Sequence, residues 1–193
     1  MMQSKAGSSE RITAEITRGS GAHEALKGGG VFTIECRGAD GALKWSAESK
    51  NLVVNAGLKD MNDKYFLGSG YTATWFLGLY GAGASNNPAA GDTAASHAGW
   101  TEVTPYSNAT RPACSFAAAT TADPSVITNS ASPAVFNINA TATIGGAFLI
   151  SNSTKGGTTG ILFSAADFAA PGDRNVTSGD TITVSYSFSL DAL

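Results

Sequence analysis

Charged, sulfur-containing and imidazole side chains are scarce in this sequence of 193 residues. Asp, Glu, Lys and Arg together make up 14% of it, and there are two cysteines and two histidines. The net charge is −3 and no basic cluster occurs, so no segment is suited to neutralising a row of phosphates or binding an anionic membrane. We therefore expect no nucleic-acid partner and no membrane partner.

Long apolar stretches are also missing. No run approaches the ~18 uninterrupted apolar residues of a membrane-spanning helix. The first residues, MMQSKAGSSERITAEITRGSG, carry charges where a secretory signal needs an apolar run of ~7–15 residues. The sequence predicts a protein that is made and kept in a cytoplasm.

The two cysteines lie far apart, in strand-like segments. Neither Cys36, in VFTIEC, nor Cys114, in ACSFA, has a neighbouring His or Cys at the spacing of metal ligands. We interpret them as buried free thiols. The alternative is a disulfide formed after release from a reducing cytosol, which requires Cα atoms within ~7 Å of each other.

Candidate catalytic residues are few. Neither His23 nor His97 is paired with a predicted base-orienting carboxylate, and no serine stands in a GxSxG motif. Asp167, Asp173 and Asp180 bracket loops near the C-terminus, but their spacing matches no calcium-binding loop, so turn roles are expected. The sequence predicts no enzymatic activity, no cofactor and no metal site.

Strand signals, by contrast, recur along the chain. Apolar and polar residues alternate through FNINATATI and TITVSYSFSL, which gives each segment one apolar face, as in half-buried strands. Val31 to Val54 has the pattern of a hairpin whose turn is Asp40-Gly41. With 23 glycines and many short turns, the chain is predicted to be all-β: an antiparallel β-sandwich, jelly-roll-like or immunoglobulin-like.

One short helix is predicted within this β pattern, over residues 56–66. Asn55 stands where an N-cap should, and Gly68 follows as a stop. Leu58, Met61 and Tyr65 fall at spacings of three and four, which is typical of one helix face.

The N-terminal part differs from the rest. Residues 1–29 are polar and end in a glycine run, so we predict an extended N-terminal arm over 1–29 and a β-sandwich domain over 30–193. Ile12, Ile16 and Leu26 are its apolar anchors, and the four-residue spacing of the isoleucines suits one helical turn that orders on a neighbouring subunit. The alternative is a frayed terminus.

A long loop between strands carries two aromatic residues of interest. Trp100 and Tyr106 lie in GWTEVTPYSNATRP, among polar residues and prolines that stiffen the backbone. Such aromatics can anchor a partner. The alternative interpretation is that both rings cap the open end of the sandwich.

Five segments resemble a family of small structural proteins of tailed phages that are encoded among capsid genes. They are NLVVNAGLKDMNDKYF, TATWFLGLYG, ASHAGWTEVTPYSNATRPA, VFNINATATIGGAFLISNSTKGGTTGILFSAADF and RNVTSGDTITVSYSFSL. The likeness covers about residues 29–191. The family has no catalytic signature to carry over, so the resemblance implies a role in virion structure.

The expected function is that of a capsid decoration or cement protein, which binds the major capsid protein on the outer shell and associates with itself as a dimer or trimer. Its expected location is the capsid surface of the virion, after synthesis in the bacterial host cytoplasm. Two alternatives stay open: a tail-fibre or receptor-binding module that recognises a host-surface glycan through Trp100 and Tyr106, and a tail or baseplate component.

Overall fold

The structure, a computed structural model, describes residues 26–71, 74–81, 87–168 and 172–192. The elements in chain order are β1 (Leu26–Arg37), β2 (Leu43–Lys50), β3 (Leu52–Val53), α1 (Asn55–Phe66), β4 (Trp75–Gly81), β5 (Thr101–Val103), β6 (Ala113–Cys114), β7 (Ser125–Thr128), β8 (Ala134–Asn137), β9 (Ala142–Ile150), β10 (Leu162–Asp167), β11 (Arg174–Val176) and β12 (Thr181–Ala192). No helix within these ranges is long and apolar enough to cross a membrane.

The strands form two antiparallel sheets packed face to face, which confirms the predicted all-β sandwich. The first sheet has the order β2-β1-β12-β7, and β8 pairs with the other half of β12. The second has the order β3-β10-β9-β4-β5, with β6 added to β4 and β11 added to β9. The long strands β1 and β12 lie side by side at the centre of the first sheet.

The core lies between the sheets and follows the alternation of the sequence. In β12, Ile182, Val184 and Tyr186 are buried, whereas Phe188 and Leu190 are only half-buried. The predicted face is therefore confirmed for the first part of this strand. The end of the strand near Leu190 borders an opening between the sheets, which is described below.

The predicted hairpin forms between β1 and β2. Its turn is closed by the backbone N–H of Gly41, which donates to the carbonyl of Gly38 at 2.8 Å. Gly41 has a φ of 80°, a conformation that glycine adopts without steric cost. The Asp40-Gly41 pair thus supplies the turn that its sequence indicates.

The glycine run lies within β1 and is not the end of an arm, because the strand begins at Leu26. Gly30 pairs with Phe188 across the sheet, and a Cβ at Gly30 would lie 2.6 Å from the hydroxyl oxygen of Tyr186. Glycine is needed here so that the tyrosine can lie close against the strand. Residues 26–29 therefore belong to the sheet, and the rest of the predicted arm lies outside the described residues.

The sequence predicts that FNINATATI forms a single strand, but in the structure it does not. It is divided between β8 in the first sheet and the start of β9 in the second, with the crossing at residues 138–141. Ile138 is still buried at the crossing, but Ala140 is exposed. The even spacing of apolar residues continues through the crossing, which is why the sequence pattern conceals it.

The predicted helix is confirmed as α1, but its N-cap is Val54, not Asn55, and Val54 makes no side-chain capping bond. The backbone N–H of Asn55 instead donates to the carbonyl of Ala90 at 2.8 Å. The loop of residues 87–100 therefore supplies an acceptor that an N-cap side chain would otherwise provide.

The same loop covers the outer face of the second sheet. A small second core forms beneath it, and its members are Val54, Tyr80, Ala94, Trp100, Phe148, Ile150, Leu162 and Ala165. Strands β4, β9 and β10 are thus buried on both faces, which explains why their sequences are apolar without alternation.

Candidate functional site

An apolar groove lies at the end of the sandwich where β1 begins and β12 ends. Its volume is about 590 Å³, within the range of protein binding pockets. The floor of this apolar groove contains buried and half-buried side chains from both sheets: Trp75, Phe116, Ile127, Leu149, Phe163 and Phe188. Its rim contains exposed ones, Leu26, Tyr65, Phe66 and Tyr71.

Helix α1 forms one wall of the groove because of how closely it approaches β10. A Cβ at Gly57 would lie 2.4 Å from the carbonyl oxygen of Phe163, so only glycine permits this contact. The buried residues of the helix are Gly57 and Asp60, whereas Leu58 is 49% exposed and Tyr65 is 83% exposed. The helix face that the sequence predicts to be buried, with Leu58 and Tyr65, is therefore not the face that packs against the sheet.

The last turn of the helix carries large apolar side chains into solvent. Phe66 and Leu67 are 76% and 78% exposed, and nearby Tyr71 and Leu26 are 68% and 70% exposed. A monomer rarely keeps a contiguous apolar patch of this kind unless the patch binds something. The groove and its rim are therefore the candidate partner-binding surface.

Charge contributes little to this surface. Among the described residues that line the groove, Asp60 and Lys64 are the ones with formal charges, and their side chains lie 3.8 Å apart. Asp60 is buried, and the ammonium of Lys64 also donates to the carbonyl of Gly70. A fitting partner would present apolar side chains without net charge.

The predicted site residues fall in three different places. Leu26 lies on the rim of the apolar groove, and its role in binding a partner stays a prediction. Ile12 and Ile16 lie outside the described residues. Trp100 and Tyr106 are 5% and 1% exposed, so the prediction that they are surface anchors for a partner is wrong for the folded domain.

Trp100 is buried because it fills the second core beneath loop 87–100. Its indole N–H donates to a carboxylate oxygen of Asp92 at 3.0 Å. The centroid of its ring lies 5.0 Å from that of Tyr80 and 5.2 Å from that of Phe148. The ring also stacks on the imidazole of His97, with centroids 3.9 Å apart. Trp100 therefore holds the loop against the sheet. This role is similar to the alternative interpretation from the sequence, in which the ring caps the sandwich.

Tyr106 is enclosed between the core and Lys155. Its ring meets Phe136 edge-on at 5.1 Å, and the ammonium of Lys155 lies 4.2 Å from its ring centroid. That ammonium also donates to the carbonyls of Tyr106 and Asn108, each at 2.7 Å. Burial raises the pKa of the Tyr106 hydroxyl, so the side chain stays neutral and serves packing.

A buried ion pair, which the sequence does not reveal, joins the loops at the second sheet. The guanidinium of Arg111 donates to both carboxylate oxygens of Glu102, at 2.9 and 2.7 Å, and these side chains are 2% and 8% exposed. Arg111 also donates to the carbonyls of Asn152 and Gly157, and Glu102 accepts from the N–H of Gly156. Because every group has partners, this pair stabilises the loops.

Both cysteines are buried and free, which confirms the thiol interpretation. Burial raises the pKa of Cys36 to about 11 and that of Cys114 to about 12. Both are therefore protonated at neutral pH and are poor nucleophiles. Within residues 26–71, 74–81, 87–168 and 172–192, no group of three or more His, Cys, Asp or Glu is placed to hold a metal ion.

Asp180 anchors the turn before β12 and is 3% exposed. It accepts hydrogen bonds from the ammonium of Lys44 at 2.6 Å and from the N–H of Thr177 at 2.8 Å. Desolvation by burial acts to raise the pKa of Asp180, but these bonds and the charge of Lys44 outweigh it, and the pKa lies below its usual value. The carboxylate is therefore a structural group that is ionised at neutral pH.

Replacing Asp180 with asparagine is expected to lower the free energy of unfolding at pH 7 by about 1 kcal/mol, because the partner Lys44 is partly exposed to solvent. A pKa that folding lowers stabilises the fold above the unfolded value of about 3.9 and ceases to do so as the pH falls through the folded value. The difference between wild type and Asp180→Asn should therefore shrink below pH 4. Urea titrations at pH 7 and pH 3 measure it, and an equal difference at both would contradict the account.

Sequence reasoning missed the groove, although one signal points to it. Tyr65, Phe66 and Leu67 are consecutive, and successive helical residues point about 100° apart, so they cannot all face one core. Such a run at a helix end, followed by Gly68, indicates apolar side chains left for a partner.

Comparison with known proteins finds no family model that matches the chain, no similar curated protein and no similar solved structure.

Proposed function

We propose that the protein is a virion structural protein that attaches to the outer surface of a tailed-phage capsid through the apolar groove and its rim, and so decorates or cements the shell. The observation that carries the proposal is the cluster of exposed large apolar side chains around a preformed groove. The resemblance of the sequence to phage structural proteins supports the choice of partner, the major capsid protein.

The chemistry of the rim suits a protein partner. Aromatic residues are enriched at the centres of protein interfaces because they bury a large area at a small entropic cost. Tyr65 and Phe66 pack edge-on with ring centroids 5.0 Å apart, and Trp75 and Phe163 do so at 5.5 Å on the floor. An apolar segment of the capsid protein that inserts between these pairs would be enclosed on several sides.

Side-chain hydrogen bonds link the loops of the β-sandwich, and such cross-links favour a preorganised body. Loops far apart in the sequence are joined by the bonds of Arg111 to the carbonyls of Asn152 and Gly157, and by those of Lys155 to the carbonyls of Tyr106 and Asn108. A rigid binding surface loses little conformational entropy when its partner docks.

Self-association as a dimer or trimer belongs to the same proposal. Strand β2 is an edge strand of the first sheet, and edge strands offer unpaired backbone groups to another copy. Repeated copies on a shell would also strengthen individually weak contacts by multivalency.

Two substitutions test the binding surface. Leu26→Asp and Phe66→Asp each place a carboxylate on the groove rim, where docking would have to desolvate it. We expect each to weaken binding to capsids that lack the protein by at least about tenfold, equivalent to ~1.4 kcal/mol. Co-sedimentation of the purified full-length protein with such capsids measures the effect.

Leu43→Asp is the matched control. Leu43, like Leu26, is an exposed leucine that begins a strand, but it pairs with Arg37 at the opposite end of β1. It should bind capsids like the wild type. Equal binding by the wild type and all three variants would show that the groove is not part of the interface. A wild-type protein that binds tails but not capsids would favour the tail or baseplate alternative.

A further inference from the structure

The first part of β1 has one neighbouring strand instead of two. On one side, β1 pairs with β12 along its whole length. On the other side, β2 pairs with β1 from Val31 onward. The chain leaves the first sheet after Asn51, because β3 joins the second sheet. Among the described residues, no strand therefore pairs with this side of β1 at residues 26–29, which we call the free edge of β1.

The direction of the backbone groups at the free edge follows from Gly30. Its N–H donates to Oδ1 of Asn51 at 2.6 Å, and its C=O accepts from the N–H of Asn51 at 2.8 Å, so both point toward the β2 side. Successive residues of a strand direct these groups to opposite sides. The N–H and C=O groups of Leu26 and Gly28 therefore point to the β2 side as well, beyond the end of β2. Backbone groups exposed in this way are a template for a further strand.

Gly28 leaves a space above the floor of the apolar groove. A Cβ at this position would lie 3.3 Å from Cζ of Phe188 and 3.4 Å from Cδ2 of Leu190, and both residues line the groove. Residues directly opposite each other in an antiparallel pair direct their side chains to the same face, with Cβ atoms ~4.5–5.5 Å apart. A residue opposite Gly28 on an added strand would therefore direct its side chain toward Phe188. A large apolar side chain there would cover the glycine.

We propose that the capsid protein docks by strand addition: an extended segment pairs with the free edge of β1, in line with β2, and places a large apolar side chain opposite Gly28 in the groove. Main-chain hydrogen bonds then supply affinity, and the groove selects the side chain. The nearby charges of Asp60 and Lys64 face each other, so an uncharged side chain is complementary. The identity of the partner rests on the proposed function, whereas the free edge is a property of the protein by itself.

Two full-length variants at Gly28 test the main-chain bond. Gly28→Pro removes the N–H that faces the added strand, and it spares the ladder to β12, which by the same alternation uses Lys27 and Gly29. Gly28→Ala is the matched control, because it adds a Cβ but keeps the N–H. Circular dichroism compares their folds, and co-sedimentation with capsids that lack the protein measures binding. We expect the proline variant to bind at least about tenfold more weakly than the alanine variant, because a carbonyl of the partner loses its donor.

Hydrogen exchange of the wild type tests the free edge without any substitution. In the free protein, labelled with ¹⁵N-glycine, the amide of Gly28 should exchange at least about tenfold faster than the amide of Gly30, which is hydrogen-bonded to Asn51. In the protein bound to capsids, mass spectrometry of peptides that contain residues 26–29 should show slower exchange than in the free protein.

Three results would overturn the proposal. Equal exchange of Gly28 and Gly30 in the free protein would show that another part of the chain or a second copy already covers the edge. Unchanged exchange of residues 26–29 on capsids, or proline and alanine variants that both bind like the wild type, would show that capsids bind without strand addition, and the proposed function would stand. If the two variants are weakened alike or one does not fold, the exchange on capsids decides. Failure of the wild type to bind capsids would instead refute the proposed function.

Discussion

Replacing Arg111 with methionine is expected to lower the free energy of unfolding by about 3–5 kcal/mol, because removal of one partner from a buried ion pair leaves the other charge uncompensated. The carboxylate of Glu102, whose side chain is 8% exposed, would lose both hydrogen bonds from the guanidinium. Of the hydrogen bonds described above, it would keep the one from the N–H of Gly156. The carbonyls of Asn152 and Gly157 would also lose their donor. Methionine keeps most of the side-chain length, so the loss reports the guanidinium and not an empty cavity. Equilibrium denaturation in urea measures it.

Arg37→Met is the matched control. Arg37 is also paired with a glutamate, Glu35, but these side chains are 49% and 44% exposed. Exposed pairs contribute about 0–1 kcal/mol, so this variant should be close to wild type. If Arg111→Met cost no more than Arg37→Met, the network at Glu102 would not be what holds the loops together.

Replacing Trp100 with alanine should cost about 3–5 kcal/mol, the usual loss when a large buried aromatic is emptied. The substitution removes ring contacts to Tyr80, Phe148 and His97 and the hydrogen bond to Asp92. Because these contacts hold loop 87–100 on the sheet, amide hydrogen exchange in the loop should accelerate along with the loss of global stability.

Trp100→Phe separates packing from the hydrogen bond. It keeps an aromatic ring but leaves Asp92 without the indole donor, and we expect a loss of about 1–2 kcal/mol. A loss below about 1 kcal/mol for Trp100→Ala would show that Trp100 is not the centre of a second core, and would return it to the surface role that the sequence predicts.

The fold was largely predictable because strands leave a simple trace. Alternation in TITVSYSFSL predicts a strand with one buried face, and Asp40-Gly41 predicts a hairpin turn. The turn and the strand are confirmed, and the buried face is confirmed from Ile182 to Tyr186. The helix was also found, with its start displaced to an N-cap at Val54. That displacement depends on the carbonyl of Ala90, a long-range partner that no local pattern can show.

Other features were not predictable because periodicity does not report which sheet a strand joins. The apolar spacing from Phe136 to Ile144 is even throughout, yet the chain changes sheets between β8 and β9. Likewise the glycine run resembles a flexible hinge by composition, whereas Gly30 is needed in β1 for the approach of Tyr186. In each case the deciding contact comes from a distant part of the chain.

The candidate site was only partly predictable. Leu26 was singled out and lies on the rim, but Trp100 and Tyr106 were chosen because their neighbours in sequence are polar. The burial of each ring involves a partner distant in the fold or the sequence: Asp92 accepts from the indole N–H of Trp100, and Lys155 lies over the ring of Tyr106. The hydroxyl of Tyr106 is buried with no hydrogen-bond partner among the described residues. Phe66, by contrast, is a large apolar residue in helix α1, where one expects burial in the core, yet it is 76% exposed.

We propose that this protein sits on a phage shell with its apolar groove toward the capsid. Cryo-EM of tailed-phage particles incubated with the purified protein tests this placement. We expect density for the β-sandwich on the outer shell, with the C-terminal turn of α1 and Leu26 against the major capsid protein. Density in the tail, or on the shell with the groove facing solvent and the Arg37 end of β1 against the capsid, would contradict it.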